Sequence, residues 1–296
     1  MARKAARLAA PVTIQTGSGE EVPPAVAARR PIAFALVLLA LAFSSIDRQI
    51  LGLLLEPIRH EFDATDTQLG ILSGAAFTIL YATMALPLAI LSDRVSRRAV
   101  LAGCITVFSA MSVCCGMAPT FMLLLVARMG TAVGEAGAVP TSQALVAEMF
   151  PRERLTSAMS NLYFASSVGG IVAFLAGGLL TGMIGWRWTF VAVGAPGVIL
   201  GILCFILLPK GAGKPATAPG AALSPYRLSP TLRFLWSQRT FHTLTLGNAF
   251  SVMANAGVSL WAAPFISRTY GLPPLQIGMV LAVVLSGSGA AGLFVV

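Results

Sequence analysis

The sequence predicts an all-α membrane protein, and three observations carry that expectation: scarce charge, long uncharged apolar runs, and a one-sided placement of lysine and arginine. Of 296 residues, 56% are hydrophobic and only 10% charged, whereas a soluble domain carries about 25% charged residues. A large soluble helical protein would still need a polar outer stripe on every helix. The stretches Ile32–Ile46, Leu101–Ala127 and Val191–Leu208 hold no charged residue at all. About 18 consecutive apolar residues suffice to cross a bilayer.

Taken in order, residues 1–31 are rich in Ala, Pro and Arg, lack an apolar core, and read as a disordered cytoplasmic tail. A cleaved leader is not expected, because the first apolar segment is a full span long and carries charges near its far end. Spans are expected over 32–55, 68–91, 99–117, 121–146, 158–182, 188–208, 241–266 and 275–296. The first six form one bundle, 32–208. The stretch 209–240, rich in Pro, Gly and basic residues, reads as a cytoplasmic linker. Residues 241–296 then open a second bundle, and the apolar run at Gly292–Val296 carries no polar cap, so the chain reads as a fragment.

Orientation follows from the positive-inside bias. With the amino terminus cytoplasmic, the inner segments hold Arg3, Lys4, Arg7, Arg29, Arg30, Arg94, Arg97, Arg98, Arg152, Arg154, Lys210, Lys214, Arg227, Arg233 and Arg239, and the outer loops hold Arg59, Arg187 and Arg268. That is 15 of the 20 basic residues against 3, and a missed span would have scrambled the count. The first outer loop is acidic, with Glu56, Glu61, Asp63 and Asp66. The net charge of +9 does not imply nucleic acid, since the basic residues form no aromatic-interleaved face. Cys104, Cys114, Cys115 and Cys204 lie inside apolar segments and show neither disulfide nor metal spacing. No metal and no cofactor is expected. His60 and His242, the only histidines, fall on opposite membrane faces, which argues against a nucleophile–base enzyme.

Asp47 and Arg48 interrupt the first span, and Arg128 and Glu135 the fourth. Ionisable residues within a span are functional candidates by default, at roughly 2.5–3.5 kcal/mol each on insertion scales. Asp47 with Arg48 would cost roughly 5–7 kcal/mol, against roughly 4–8 kcal/mol returned by the Leu, Ile, Phe and Val of 32–55. The first helix is near break-even alone and needs partners. At about 1.5 Å per residue, Asp47 and Arg128 both lie roughly 12 Å below the outer surface, which predicts an Asp47–Arg128 ion pair. Glu135, on the same face of the fourth helix, falls about 10 Å deeper, within reach of Arg48. A purely structural lock between two helices is the simpler alternative. Two carboxylates and two guanidiniums at graded depth fit a proton or substrate relay better, because protonation frees an arginine. Gly130, Gly134 and Gly137 on the fourth helix favour close helix packing.

The loop LAILSDRVSRRAVL (88–101) resembles the signature loop of the major facilitator superfamily, with Asp93, Arg94, Arg97 and Arg98 in place and Ala89 and Ser96 where that motif has glycines. RMGTAVGEAG (128–137) resembles the family's fourth-helix motif, and SSIDRQILGLLLEPI and GVSLWAAPFISRTYGL (257–272) are similar to the Spinster-like branch. The fifth helix keeps Gly169, Gly177 and Gly178 but has Ala173 and Phe174 in place of the antiporter-type Gly-Pro. The resemblance implies a twelve-helix fold of two six-helix bundles, of which this chain would supply the amino-terminal bundle and the first two helices of the second. It further implies that Asp93 latches the cytoplasmic side through a basic partner on a neighbouring bundle. Spans 1, 4 and 7 would line the cavity, which adds Asn248, Asn255 and Trp261 as cavity candidates. The implied activity is secondary active transport by alternating access, coupled to protons through Asp47 and Glu135, of an organic or amphiphilic anion such as a lysolipid, by a monomer in a bacterial inner membrane. A non-transporting remnant and a membrane-embedded lipid enzyme are the rivals.

Overall fold

The structure, a computed structural model, describes residues 24–208 and 228–287. Helix α1 is Pro24–Phe62. Helix α2 runs over Asp66–Arg94 and contains a π-helical stretch at Ile71–Ala75. Helix α3 is Arg97–Met117 and α4 is Phe121–Met149. The run Arg152–Leu207 is broken only at Gly185, whose φ of 78° and ψ of 167° leave the helical region. Its two limbs, α5 (152–184) and α6 (186–207), are therefore separate helices. A short helix α7 covers Leu228–Ser237, α8 covers Arg239–Tyr270, and α9 covers Pro274–Leu281 before a second π-helical stretch, Ala282–Gly287. Among the described residues, six runs are long and apolar enough to cross a membrane. One of them, 56 residues long, has the length of two spans at about 1.5 Å per residue. The all-α membrane fold expected from composition is thus present, with α1 to α6, α8 and α9 in the places of the eight expected spans.

Three boundaries differ from the sequence reading. Helix α1 starts at Pro24, inside the stretch expected to be a disordered tail, because Pro24 is tolerated at a first helical position and AVAARR consists largely of strong helix formers. The second part of the expected linker, Leu228–Ser237, is helical. The loop expected between the fifth and sixth spans shrinks to Gly185, where a positive φ open to glycine lets the chain reverse. The tail residues 1–23, the linker residues 209–227 and the last part of the eighth span, 288–296, lie outside the described residues.

Glycines fix the helix neighbours. A Cβ on Gly134 would lie 2.5 Å from the Phe108 amide nitrogen and 2.8 Å from the Cys104 carbonyl oxygen, and one on Gly130 would meet Met111. As position rises along α4 it falls along α3, so the two run antiparallel with backbones in near contact. Gly194 and Gly201 of α6 pack in the same descending order on Ser109 and Thr106 of α3. Gly169 and Gly177 of α5 meet Ala42 and Ile50 of α1 in ascending order, so those two run parallel. Two apolar cores result. One joins Ala33–Leu41 to Leu101, Phe108, Val146 and Cys204; the other joins Ile50–Ile58 to Leu72, Leu124, Trp186 and Phe190. The stretch of α1 between them, Ser44–Arg48, carries the charges.

Candidate functional site

In this layer between the cores, Asp47 and Arg128 are 1% and 2% exposed, and Glu135 is fully buried. Arg128 Nη1 donates to Asp47 Oδ2 at 2.6 Å, and Ser112 Oγ of α3 donates to Asp47 Oδ1 at 2.6 Å. The Asp47–Arg128 pair anticipated from helix depth is therefore formed. Arg48 Nε donates to Glu135 Oε2 in a second ion pair. Ser44 Oγ also donates to that oxygen at 3.3 Å, and Arg48 Nη2 donates to Ser44 Oγ at 3.3 Å. Two salt bridges thus cross from adjacent residues of α1 to positions two turns apart on α4. Their apolar surroundings strengthen the attraction and raise the cost of leaving either partner alone.

Each guanidinium also faces an aromatic ring of α2. Arg48 lies 5.1 Å from the Tyr81 ring centroid, and Arg128 lies 5.6 Å from Phe77 and 6.0 Å from Phe190. The sequence reading named neither these rings nor Ser44 and Ser112. Ser44 had a signal, since it stands one helical turn before Arg48. Ser112 and Tyr81 had none, because a serine or a tyrosine in an apolar run is ordinary.

A cavity of about 770 Å³ opens beside the pairs, lined by α1, α2, α4, α5 and α8. Arg48 and Arg128 line it, with Ser45, Gln49, Thr78, Ser166 and Asn255 among its polar groups. Among the described residues no carboxylate is in the lining, and Asp47 and Glu135 are buried behind their arginines. Of the candidates on the seventh span, Asn255 and Trp261 line the cavity, while Asn248 does not and is exposed. A seven-residue spacing put both asparagines on one helix face, but Asn248 stands two turns nearer the arginine-rich end, beyond the lining.

At the acidic end of the helices, α8 is drawn onto α1 and α2. Arg268 donates to Asp66 at 2.8 and 3.0 Å and to Glu56 at 2.9 Å, and Glu56 also accepts from Arg59 at 3.1 Å. Just below, Gly52 would place a Cβ 3.4 Å from the carbonyl oxygens of Ser259 and Leu260. At the opposite end, Asp93 pairs with Arg97 at 2.9 Å and Arg97 pairs with Glu148 of α4. Arg98 donates to the Leu208 carbonyl at 3.1 Å and lies 4.9 Å from the Phe205 ring, and Arg94 is exposed. The signature loop therefore ties α2, α3, α4 and α6 together within the first bundle.

Comparison with known proteins agrees with this fold. The chain is 30% identical over 254 residues to an MFS-type efflux pump of Mycolicibacterium smegmatis, covering 85% of this chain and 58% of the relative. It is 27% identical to human protein spinster homolog 1, covering 76% of this chain and 43% of the relative. Among solved structures, a bacterial homologue of the human lysosomal transporter Spinster, in an inward-facing and unoccupied conformation, superposes with a TM-score of 0.75 at 27% identity, covering 90% of this chain and 60% of that one. The chain spans about half the length of the relatives it matches. A model of the Major Facilitator Superfamily matches residues 37–296, and the chain, a multi-pass helical membrane protein with Spinster-like relatives, belongs to that superfamily.

Proposed function

We propose that the chain supplies the proton- and anion-handling bundle of a secondary active transporter that works by alternating access. The observation that carries this reading is the sorting of charge around the cavity: both guanidiniums line it, and both carboxylates are hidden behind them. With both pairs formed the site is neutral. One proton delivered to Glu135 removes its charge, releases Arg48 from the ion pair, and leaves the site one positive charge in excess. That surplus suits a monoanionic headgroup or a small organic acid. Asp47, paired to Arg128 and Ser112, holds the second arginine in place and is the other candidate for proton coupling. The family's gate motif, Asp93 to Arg98, is assigned the cytoplasmic latch, with the amino terminus cytoplasmic and the protein in a bacterial inner membrane as a monomer. The Arg268 latch at the acidic end and the likeness to an inward-facing relative support an inward-facing state. The mycobacterial relative's name favours export as the direction.

The test is transport by the full-length protein in proteoliposomes under an imposed pH gradient, with a fluorescent lysophosphatidate and a small aromatic carboxylate as probes. Glu135→Gln and Asp47→Asn are expected to abolish the gradient-driven component. An unchanged pH dependence in both variants removes proton coupling from the reading, and no gradient-driven movement of either probe by the parent protein removes the anion.

A further inference from the structure

Tyr81 and Phe77 stand one turn apart on α2 with ring centroids 6.0 Å apart and an 18° angle between planes, a stacked pair. Phe77 lines the cavity and Tyr81 does not. The pair resembles a shelf for an aromatic substrate, but its faces are already occupied: Arg48 lies over Tyr81 and Arg128 over Phe77. A guanidinium offers hydrogen bonds from its edges and cation–π contact from its faces. Arg48 uses edge atoms Nε and Nη2 on Glu135 and Ser44, and its Cζ lies over the Tyr81 ring, whose hydroxyl also interacts with the guanidinium. The two kinds of contact are separable. Loss of the carboxylate's charge removes the strongest edge contact and leaves the ring in place.

We propose that Tyr81 is a positioning residue for Arg48: its ring, braced by Phe77, is the fixed face against which the guanidinium stays while it exchanges Glu135 for an anion in the cavity. Arg48 needs such a hold because its side chain is 38% exposed, whereas Arg128, boxed between Phe77 and Phe190, is buried. A long flexible arginine stem without a backing surface spreads over many rotamers, and each one given up on binding costs affinity. The significance of this role rests on the proposed anion site. Its geometry does not.

The test therefore reads Arg48 directly, without transport. The full-length protein in nanodiscs is treated with phenylglyoxal, which condenses with guanidinium groups, and modification is followed residue by residue by peptide mass spectrometry. Exposed Arg94 is the reference and buried Arg128 monitors the fold. Tyr81→Leu is expected to raise the rate at Arg48 several-fold, with a larger rise in a Glu135→Gln background, where the ring is the main remaining hold. Tyr81→Phe, which keeps the ring and loses only the hydroxyl beside Arg48, is expected to raise the rate less than Tyr81→Leu. An unchanged Arg48 rate in Tyr81→Leu with Arg128 still protected overturns the proposal. If Tyr81→Leu exposes Arg128, Tyr81→Met is judged by the same criterion. A protein that moves no anion but shows this pattern fails the transport reading and keeps the positioning role.

Discussion

Arginine–carboxylate pairs hold this molecule in two places, and the two sites are built on opposite principles. Between the apolar cores, Asp47–Arg128 and Arg48–Glu135 are fenced by Phe77, Tyr81, Phe190 and two serines. At the acidic end, Arg268 grips Asp66 and Glu56 with 54% and 13% of those carboxylate side chains exposed. Coulomb attraction at a few ångströms is weak in water and large in a medium of low dielectric constant. The same chemistry therefore gives a high-stakes element in the layer between the cores and an easily exchanged one at the surface. The transport proposed above would use both kinds, the easily exchanged pairs as a gate and the buried pairs as the site that answers a proton.

The largest expected effect breaks the buried pair. Arg128→Met leaves Asp47 buried with only Ser112 to satisfy it, and removal of one partner of a buried pair costs about 3–5 kcal/mol. The expected outcome is a large fall in the melting temperature of the detergent-purified protein. Replacing both partners, as in Asp47→Leu with Arg128→Met, is expected to recover most of the loss, because an apolar pair of similar volume needs no desolvation. A double variant as unstable as the single one would mean that the pair is not the coupled unit described here.

An intermediate effect probes the packing that brings α4 close enough for its charges to be met. Gly134→Ala drives a methyl into the backbone of α3 at Phe108 and Cys104, where no flexible side chain can yield. Overpacking of this kind costs about 1–3 kcal/mol. Gly103→Ala on α3, with nothing within 4 Å of the new methyl, is expected to be neutral or slightly stabilising, since alanine is the better helix former. Equal melting temperatures for the two variants would remove close packing as the reason for the glycines.

How much of this was legible in the sequence depends on the contrast between a residue and its neighbours. Asp47, Arg48, Arg128 and Glu135 are conspicuous because charge in an apolar run is costly, and a constant rise per residue placed Asp47 level with Arg128. Helix number was legible for the same reason. Ser112 and Tyr81 were not, since hydroxyls and rings are unremarkable in a span and acquire a role only when a guanidinium arrives from another helix. Gly185 was one glycine among 29, and nothing local marks it as one of the two described glycines whose φ turns positive. The motif loop drew notice to Asp93 and Arg97, but their pairing with each other and the link from Arg97 to Glu148 within the first bundle were not part of the sequence reading. Arg268 and Asp66 lie 202 positions apart, and no periodicity connects them.

The smallest effect on stability, and the sharpest test of the comparison, belongs to Arg268→Gln. Exposed ion pairs contribute little to folding, and salt at 1 M shrinks the screening length to about 3 Å, so the melting temperature is expected to change hardly at all. The shape of the acidic end is expected to change more. With Cys114 replaced by serine and spin labels at Thr67 of α2 and Thr269 of α8, the parent protein should give a single short interlabel distance. Arg268→Gln should add a longer component, and raising the salt should produce the same component in the parent. The reversed pair, Asp66→Arg with Arg268→Asp, should suppress it again, because attraction is restored with the charges exchanged. If the distances are identical in all of these, Arg268 does not hold α8 against α1 and α2, and Gly52 beneath Ser259 and Leu260 is left as the contact that closes this end.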